Sequence, residues 1–271
     1  MPPPPLALPP AFSSELITFI LTHQTYPTTL IICQSRANFL LSLRDSTSTS
    51  HNREPSFPPN DTTSSEKPST PPPPEPPRRH PLLTPTLHQL ATSRHISLVF
   101  IPTLSHLRAY LSVFPPSPQN EKIIGGPQEQ QKFDKSGKKG PLVVVYGLVE
   151  LHRDTSEWSA QGLGHSVSVL VEAGVRSGRA VMVIEERKLD YEIEGEQEGV
   201  DDEEVGDYEA AVEARNWKRM CKVWEQRVPM LNGSMRRAGI EGEDGGWSGR
   251  TVAVGRILGR WVKFGRADWA N

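Results

Sequence analysis

The fold is decided by residues Pro141 to Glu186, which read PLVVVYGLVELHRDTSEWSAQGLGHSVSVLVEAGVRSGRAVMVIEE. The run Leu142 to Tyr146 is apolar without alternation, which is typical of a strand covered on both faces. A helical pattern follows and ends near Gly178, with apolar positions at Leu163, Val167, Leu170, Val171 and Val175. A second apolar run, Ala180 to Ile184, closes the unit. Because strand, crossover helix and strand form a βαβ unit, we predict an α/β fold with a mainly parallel central sheet.

Further strands and helices are predicted on both sides of this unit. Thr28 to Cys33 reads as the first buried strand, Ile96 to Ile101 as another, and Arg250 to Phe264 as closing strands with a bend near Gly255 or Gly259. Helices are predicted for Glu15 to His23, Ser35 to Leu43, Pro85 to Ser93, Leu104 to Phe114 and Tyr208 to Met230. The side chains expected to face inward in two of these helices are Phe39, Leu40, Leu43, Leu104, Leu107, Leu111 and Phe114.

Composition divides the chain into ordered and flexible parts. We assign an N-terminal strand and helix of the core to residues 1–43. Further core elements are assigned to 82–114 and 141–187, and a C-terminal helix with the closing strands to 208–271. The intervening segments lack the apolar content that offsets ordering entropy. We therefore predict a disordered Pro/Ser/Thr-rich insertion at 44–81, a flexible linker at 115–140 and a self-repelling acidic loop at 188–207.

Overall composition excludes several classes of protein. The formal net charge of −2 over 271 residues gives no global field that favours nucleic acid or membrane. Two cysteines, Cys33 and Cys221, argue against a disulfide framework or a structural zinc site. No apolar run reaches the roughly 18 residues of a membrane span, and MPPPPLALPP lacks the features of a signal peptide. We expect an intracellular, soluble protein that does not contact membranes.

No complete catalytic motif is visible. A P-loop needs G-x-x-x-x-G-K-[ST] after an early strand, whereas Thr28 to Cys33 is followed by Gln34-Ser35-Arg36-Ala37-Asn38. Gly162-Leu163-Gly164 has no third glycine and does not follow a strand, so it is not a dinucleotide fingerprint. His152 and His165 are isolated in the sequence and read as surface polar residues rather than ligands. We therefore expect no cofactor, no metal site and no enzymatic activity.

In their order, these pieces resemble the ATPase core of RecA-like recombinases and their paralogues. In that family a buried strand ends in a magnesium-binding acid, and a short polar loop, a long helix and a strand ending in a polar sensor follow. Residues 142–153 (LVVVYGLVELHR) resemble the first strand and its loop, 180–186 (AVMVIEE) the sensor strand, and 246–261 (GWSGRTVAVGRILGRW) the closing strands. The resemblance covers roughly Leu142 to Phe264 and implies a RecA-like, P-loop-NTPase-type core.

The departures from the family pattern imply degenerate Walker motifs. Tyr146-Gly147 stands where the family has its magnesium-binding acid. Two interpretations of Glu150, Glu185 and Glu186 are open: one of them replaces that acid, or all three are solvated carboxylates at strand ends. The resemblance is therefore to ATP-independent members, such as the non-catalytic paralogues of the Shu complex, which act in homologous recombination in the nucleus. A cytoplasmic, RecA-like scaffold of the Elongator accessory type is the alternative, and an enzyme of another class is a third.

Basic residues make DNA an expected ligand of such a paralogue. Ala210 to Asn271 holds twelve Lys or Arg against six Asp or Glu. We predict DNA contacts, with single-stranded or forked DNA, at Arg153, Arg256, Arg260 and Lys263, and a second RecA-like paralogue as protein partner. Arg153 could instead form an ion pair with a carboxylate of a partner protein. Trp158 is expected to pack the start of the helix against the core. Trp261 and Phe264 read either as core residues of a strand or as rings that stack on bases.

Overall fold

The computed structural model describes residues 3–23, 27–49, 80–115, 141–187, 221–231 and 250–266. Its strands are β1 (Leu6–Ala7), β2 (Thr28–Ile32), β3 (Ile96–Phe100), β4 (Leu142–Tyr146), β5 (Ala180–Ile184), β6 (Arg227–Pro229), β7 (Thr251–Ala253) and β8 (Lys263–Phe264). Six of them form a sheet in the order β3-β2-β4-β5-β1-β8, in which every pairing is parallel. The other two, β6 and β7, pair antiparallel in a separate sheet. The predicted α/β fold with a mainly parallel central sheet is confirmed.

Helices cover both faces of the central sheet. They are α1 (Ser13–His23), α2 (Arg36–Thr49), α3 (Leu87–Ser93), α4 (Leu104–Ser112), α5 (Leu148–His152), α6 (Ala160–Ser177) and α7 (Val254–Leu258). Leu16 and Ile20 of α1 and Phe39 of α2 pack on one face, against β2, β4 and β5. Leu107 of α4, Leu163 of α6 and their neighbours pack on the other. Strands between two such layers must be apolar on both sides, which is why β4 is buried at every position.

The predicted βαβ unit is present with the expected strand bounds. Val143 of β4 lies opposite Val181 of β5, in parallel register. Ser159 caps α6 by accepting a hydrogen bond from Gly162 N at 3.0 Å. Gly178 ends the helix in the left-handed conformation, φ 67°, which glycine adopts without steric cost. Four of the five apolar positions predicted for α6 pack inward, whereas Val175 is 61% exposed.

Several predicted bounds are wrong. Thr28–Ile32 is not the first strand of the sheet, because β1 precedes it. The helix after it runs past Leu43 to Thr49, so the insertion predicted from Arg44 begins too early. Seryl and threonyl hydroxyls hold this extra turn, because Ser46 donates to Leu43 O at 3.0 Å and contacts Ser13 Oγ at 3.1 Å. Leu40, predicted to face inward, is 48% exposed.

The C-terminal elements also differ from the prediction. Residues 221–225 are helical, but Arg227–Pro229 is a strand rather than the end of a helix. Arg250 to Phe264 forms β7, α7 and β8, so helix Val254–Leu258 replaces the predicted bend between strands. Residues 50–79, 116–140 and the acidic segment 188–207 lie outside the described residues. No helix in the described part of the chain is long and apolar enough to cross a bilayer.

Candidate functional site

The carboxyl edge of the parallel sheet contains a topological switch point. The chain leaves β2 towards α2 on one face of the sheet, and leaves β4 towards α5 and α6 on the other. Open α/β sheets bind ligands where the connections of adjacent strands diverge in this way. Cys33 and Gly147 follow the two strands, and a Cβ built on Gly147 would lie 3.8 Å from the Cys33 Cβ. The candidate site is therefore built from the residues that surround this pair.

Glu185 follows β5 beside this point and is 2% exposed. Its Oε1 accepts a hydrogen bond from Val149 N at 2.9 Å, and its Oε2 lies 3.5 Å from Glu150 N, so the side chain caps the start of α5. Gly147 makes this approach possible by turning the chain at φ 82°. Burial raises the pKa of Glu185 to about 8, against the lowering effect of backbone amides at the start of α5. The carboxyl is therefore largely protonated at neutral pH, and is not the solvated strand-end carboxylate that the sequence suggested.

Tyr146 stands where the family resemblance places a magnesium-binding acid. Its side chain is fully buried and packs edge-on against Phe39, with ring centroids 6.2 Å apart. Its hydroxyl donates to Ala11 O at 3.0 Å, and burial with nearby carboxylates raises the pKa of the phenol well above its usual value. The position therefore presents a neutral hydroxyl already bound to backbone. Among the described residues, no three His, Cys, Asp or Glu side chains converge as metal ligands would.

The turn between β1 and α1, residues 8–12, is the loop that follows the first strand. Leu8 N donates to Val183 O at 2.9 Å, Ala11 N to Glu185 O at 3.0 Å and Phe12 N to Glu15 Oε2 at 2.8 Å. The two remaining positions are Pro9 and Pro10, which have no N–H. Each of the five positions in this turn therefore either donates its backbone N–H within the chain or has no N–H. The turn offers no free amides that could surround a phosphate.

Two charged side chains after Glu185 tie the end of β5 to the helices beside it. Glu186 accepts a hydrogen bond from the Ser42 hydroxyl of α2, and Arg187 forms an ion pair with Glu15 of α1. The Arg187 guanidinium also lies 4.3 Å from the centroid of the Phe12 ring. Both residues thus connect this edge of the sheet to α1 and α2.

A buried polar cluster on the opposite face was not predicted. His152, taken from the sequence as a surface residue, is fully buried. Its Nδ1 lies 2.8 Å from Leu148 O and its Nε2 lies 2.9 Å from Ser166 Oγ. Arg108 reaches the same hydroxyl at 3.3 Å and forms an ion pair with Glu157 at 3.0 Å. Burial lowers the pKa of His152 to about 4, so the ring is neutral and cross-links α5 to α6.

Arg153 lies at the end of α5, beside the C-terminal elements. Its Nε donates to Glu150 Oε2 at 2.8 Å, its Nη2 donates to Gln226 Oε1 at 2.9 Å, and its guanidinium stacks 5.5 Å from the Trp158 ring centroid. Trp158 packs against the core as predicted. Gln226 also accepts a backbone hydrogen bond from Val254 N, at 2.8 Å, so Arg153 adjoins the start of α7. Its charge is already balanced by Glu150.

The other predicted DNA contacts lie within the C-terminal segment 254–264. Arg256 is in α7, Arg260 in the turn after it and Lys263 in β8, and all three are exposed. Trp261 and Phe264 are 43% and 47% exposed, so the interpretation of both as core residues is wrong. Val262, between them, is the buried residue of this segment. We call Arg256, Arg260, Trp261, Lys263 and Phe264 the basic–aromatic surface.

Comparisons of the chain with protein-family models, curated proteins and solved structures find no match.

Proposed function

We propose that this protein is a non-catalytic, RecA-like recombinase paralogue that acts in homologous recombination through protein contacts and weak DNA binding. Its partner is a second RecA-like paralogue, and its nucleic-acid ligand is single-stranded or forked DNA in the nucleus. Support comes from the order of β4, the short α5, the long α6 and β5, because the resemblance assigns these places to the acid-bearing strand, its loop, its helix and the sensor strand. The RecA-like assignment, with its degenerate Walker motifs, belongs to this proposal.

The observation that carries the non-catalytic part is the turn 8–12. Phosphoryl transfer depends on amides and a lysine around the phosphates and on an acid that holds magnesium. In this turn each backbone N–H already donates within the chain or is absent at a proline. The position of the magnesium-binding acid is occupied by the buried Tyr146. We expect purified protein to show no ATP turnover above background. Steady turnover that disappears in Glu150→Gln or Glu186→Gln would refute this part, because these acids follow β4 and β5 at the carboxyl edge of the sheet.

The basic–aromatic surface supports DNA binding. Its three cations are exposed, and the span from Arg250 to Arg266 contains five Lys or Arg and no Asp or Glu. Each phosphate that a cation neutralises on a single strand contributes about 0.7 to the slope of log affinity against log salt. Replacing Arg256, Arg260 and Lys263 by alanine should therefore weaken binding and flatten this slope by about 2.

A matched control separates this surface from general charge effects. Arg36, Arg44 and Arg94 are also exposed but lie on α2 and after α3. Replacing these three by alanine removes the same charge and should leave the affinity nearly unchanged. Fluorescence anisotropy with a labelled single strand, titrated at several salt concentrations, measures both variants. Equal loss in the two triple variants would show that binding is not located at the basic–aromatic surface.

A RecA-like scaffold of the Elongator accessory type is the second candidate. The contacts of Arg153 favour it, because this predicted DNA residue is engaged with Glu150 and Gln226 inside the chain. Absence of salt-sensitive DNA binding by the wild-type protein at low ionic strength, together with a stable co-purified subunit, would select the scaffold.

A further inference from the structure

We propose that the chain pairs with a second copy of itself through β3, the end strand of the central sheet, in an antiparallel arrangement about a two-fold axis at Leu98. β3 is bonded to β2 on its inner side, and β8 is the strand at the opposite end of the sheet. Over the described ranges of the chain, no strand pairs with the outer side of β3. Pairing at this edge does not require the DNA binding proposed above.

The hydrogen bonds to β2 determine which backbone groups of β3 face outward. The bonds at the two ends of the pair run from Thr28 N to His95 O, at 3.4 Å, and from Ile101 N to Ile32 O, at 2.8 Å. In a parallel pair, successive residues alternate between bonding to the neighbouring strand and pointing away from it. The odd-numbered residues of β3 therefore bond to β2. The residues that direct N–H and C=O groups to the open edge are Ile96, Leu98 and Phe100.

The middle of β3 is exposed on both faces of the sheet. Ile96 and Phe100 pack on the face covered by α1 and α2, so Leu98 between them lies on that face as well. Ser97 points to the opposite face, because neighbouring strand residues alternate. Both are exposed, Leu98 by 46%. The centre of the end strand is thus open to solvent on either side.

β3 lacks the features that usually keep an end strand from pairing. Natural sheets protect their edges with charged side chains, proline or bulges. The sequence of β3 is ISLVF, without charge or proline, and its register with β2 is continuous from Ile96 to Phe100. Such an edge favours the addition of another strand.

The outward groups of β3 match those of a second copy. When two β3 strands run antiparallel with Leu98 opposite Leu98 of the second copy, Ile96 lies opposite Phe100 at each end. Residues opposite one another at such positions exchange both of their N–H···O bonds. Every outward N–H of each copy then finds an acceptor on the other. The side chains that meet across the pair are all apolar on this face, which stabilises it.

Charge does not oppose the pairing of identical strands. Arg94 is the charged residue closest to Leu98 in the sequence, and in the antiparallel pair it lies level with Pro102 of the second copy. The two arginines are therefore eight residues apart along the strands, or about 27 Å. This exceeds the screening length of about 10 Å at 0.1 M salt, so their repulsion is small. An unrelated strand would have to match the outward groups by its own sequence, whereas a second copy matches them by symmetry.

The test measures the mass of the full chain by sedimentation over a range of protein concentrations. We expect monomer at low and dimer at high concentration, because a single strand pair is a small interface. Leu98→Pro removes an outward N–H that the fold itself does not use. Leu98→Lys places two like charges opposite each other at the axis. Each variant should raise the dissociation constant of the dimer by about tenfold or more.

A mixture of the Leu98→Lys and Leu98→Glu proteins tests the register. Mixing brings opposite charges together across the axis, so it should restore the dimer that neither variant forms well alone. Val175→Lys is the matched control, because this valine is 61% exposed and adds the same charge on α6. Its dissociation constant should equal that of the wild type.

Amide hydrogen exchange locates the contact by residue. The N–H groups of Ser97 and Val99 bond to β2 with or without a second copy, so they should be protected at every concentration. Those of Ile96, Leu98 and Phe100 should become protected only at concentrations at which the dimer forms.

Thermal denaturation checks the fold of each variant, and Leu98→Lys carries the test if Leu98→Pro unfolds. A wild-type chain that stays monomeric at all concentrations would overturn the proposal. So would a dimer that Leu98→Lys leaves unchanged, or a mixture that fails to associate. Loss of a co-purified subunit in Leu98→Lys, from a wild type that does not self-associate, would assign the edge to a strand of another protein and also overturn self-pairing. DNA binding is measured separately, so it stands or fails independently of these results.

Discussion

Replacing Glu185 by glutamine should remove a pH dependence of folding stability that the buried carboxyl imposes. In the folded protein burial raises the pKa of this group to about 8, whereas its ordinary value is 4.5. Between these values the folded state holds a proton that the unfolded state has released. The contribution of Glu185 to the free energy of unfolding is thus fully present below pH 4.5 and is lost as the pH rises towards 8. Glutamine keeps an oxygen for the Val149 amide but cannot ionise.

The magnitude follows from the width of this window. One pKa unit corresponds to about 1.4 kcal/mol, so the free energy of unfolding should fall by about 5 kcal/mol across the whole window. His152 acts in the opposite direction, because burial lowers its pKa from 6.5 to about 4 and stability rises with pH between those values. The two contributions partly cancel below pH 6.5. Between pH 6.5 and 8 the fall of about 2 kcal/mol from Glu185 should be visible.

Urea denaturation at intervals from pH 5.5 to 8, at constant ionic strength, measures this fall for wild-type protein and for Glu185→Gln. The difference between the two curves isolates Glu185, since His152 is common to both. Glu186→Gln is the matched control, because it removes the adjacent carboxylate and retains Glu185, so its curve should keep the fall between pH 6.5 and 8. Parallel curves for wild type and Glu185→Gln would refute the assignment of a protonated carboxyl at this site.

Three further variants test packing and polar contacts by the same denaturation measurement at pH 7. Ser166→Ala removes the hydroxyl that contacts His152 Nε2 at 2.9 Å, and the buried ring nitrogen left without its partner should cost about 1–3 kcal/mol; no change would show that the contact contributes nothing. Gly174→Ala would place a Cβ 2.2 Å from Val181 Cγ2 and should therefore destabilise the fold by about 1–3 kcal/mol. Gly164→Ala is the control in the same helix, because its Cβ would lie 3.9 Å from the nearest neighbour and alanine favours helix, so it should stabilise the fold by up to about 1 kcal/mol. Equal effects at both positions would contradict the packing described.

The sequence predicts most of the central sheet, because a strand between two helical layers must be apolar at every position. Leu142–Tyr146 and Ala180–Ile184 satisfy this rule and have the predicted bounds. Leu6–Ala7 was missed, because two residues within the proline-rich stretch MPPPPLALPP carry no periodic signal and Pro is disfavoured in central strands. The last turns of α2 were missed for another reason. Their Ser and Thr residues suggest a loop, but Ser46 bonds to the helix carbonyl of Leu43 and contacts Ser13 of α1.

The candidate site was less predictable, because its contacts join residues that are distant in sequence. The burial of Glu185 depends on α5 lying over the end of β5, which no local pattern reveals. His152 and Ser166 meet because α5 and α6 pack together, and neither residue has a motif around it. A phosphate loop follows the first strand of such a sheet, and β1 has no recognisable strand pattern. The prediction therefore concerned the loop after Thr28–Ile32 and not the turn after β1. The absence of a P-loop sequence holds for both loops.

The position of β1 has a consequence for folding during synthesis. Leu6 lies opposite Met182 on one side and Lys263 on the other, although it is made long before either. β1 cannot pair until β5 has emerged from the ribosome, and β8 cannot join the sheet until β1 is in place, since Lys263 N is held by Pro5 O. Such non-local pairings make folding slow, because loop-closure entropy is lost before contacts form. The short segment Pro5–Ala7 therefore enters the sheet late and links β5 to β8, so that Lys263 and Phe264 take their places only after β1 has paired.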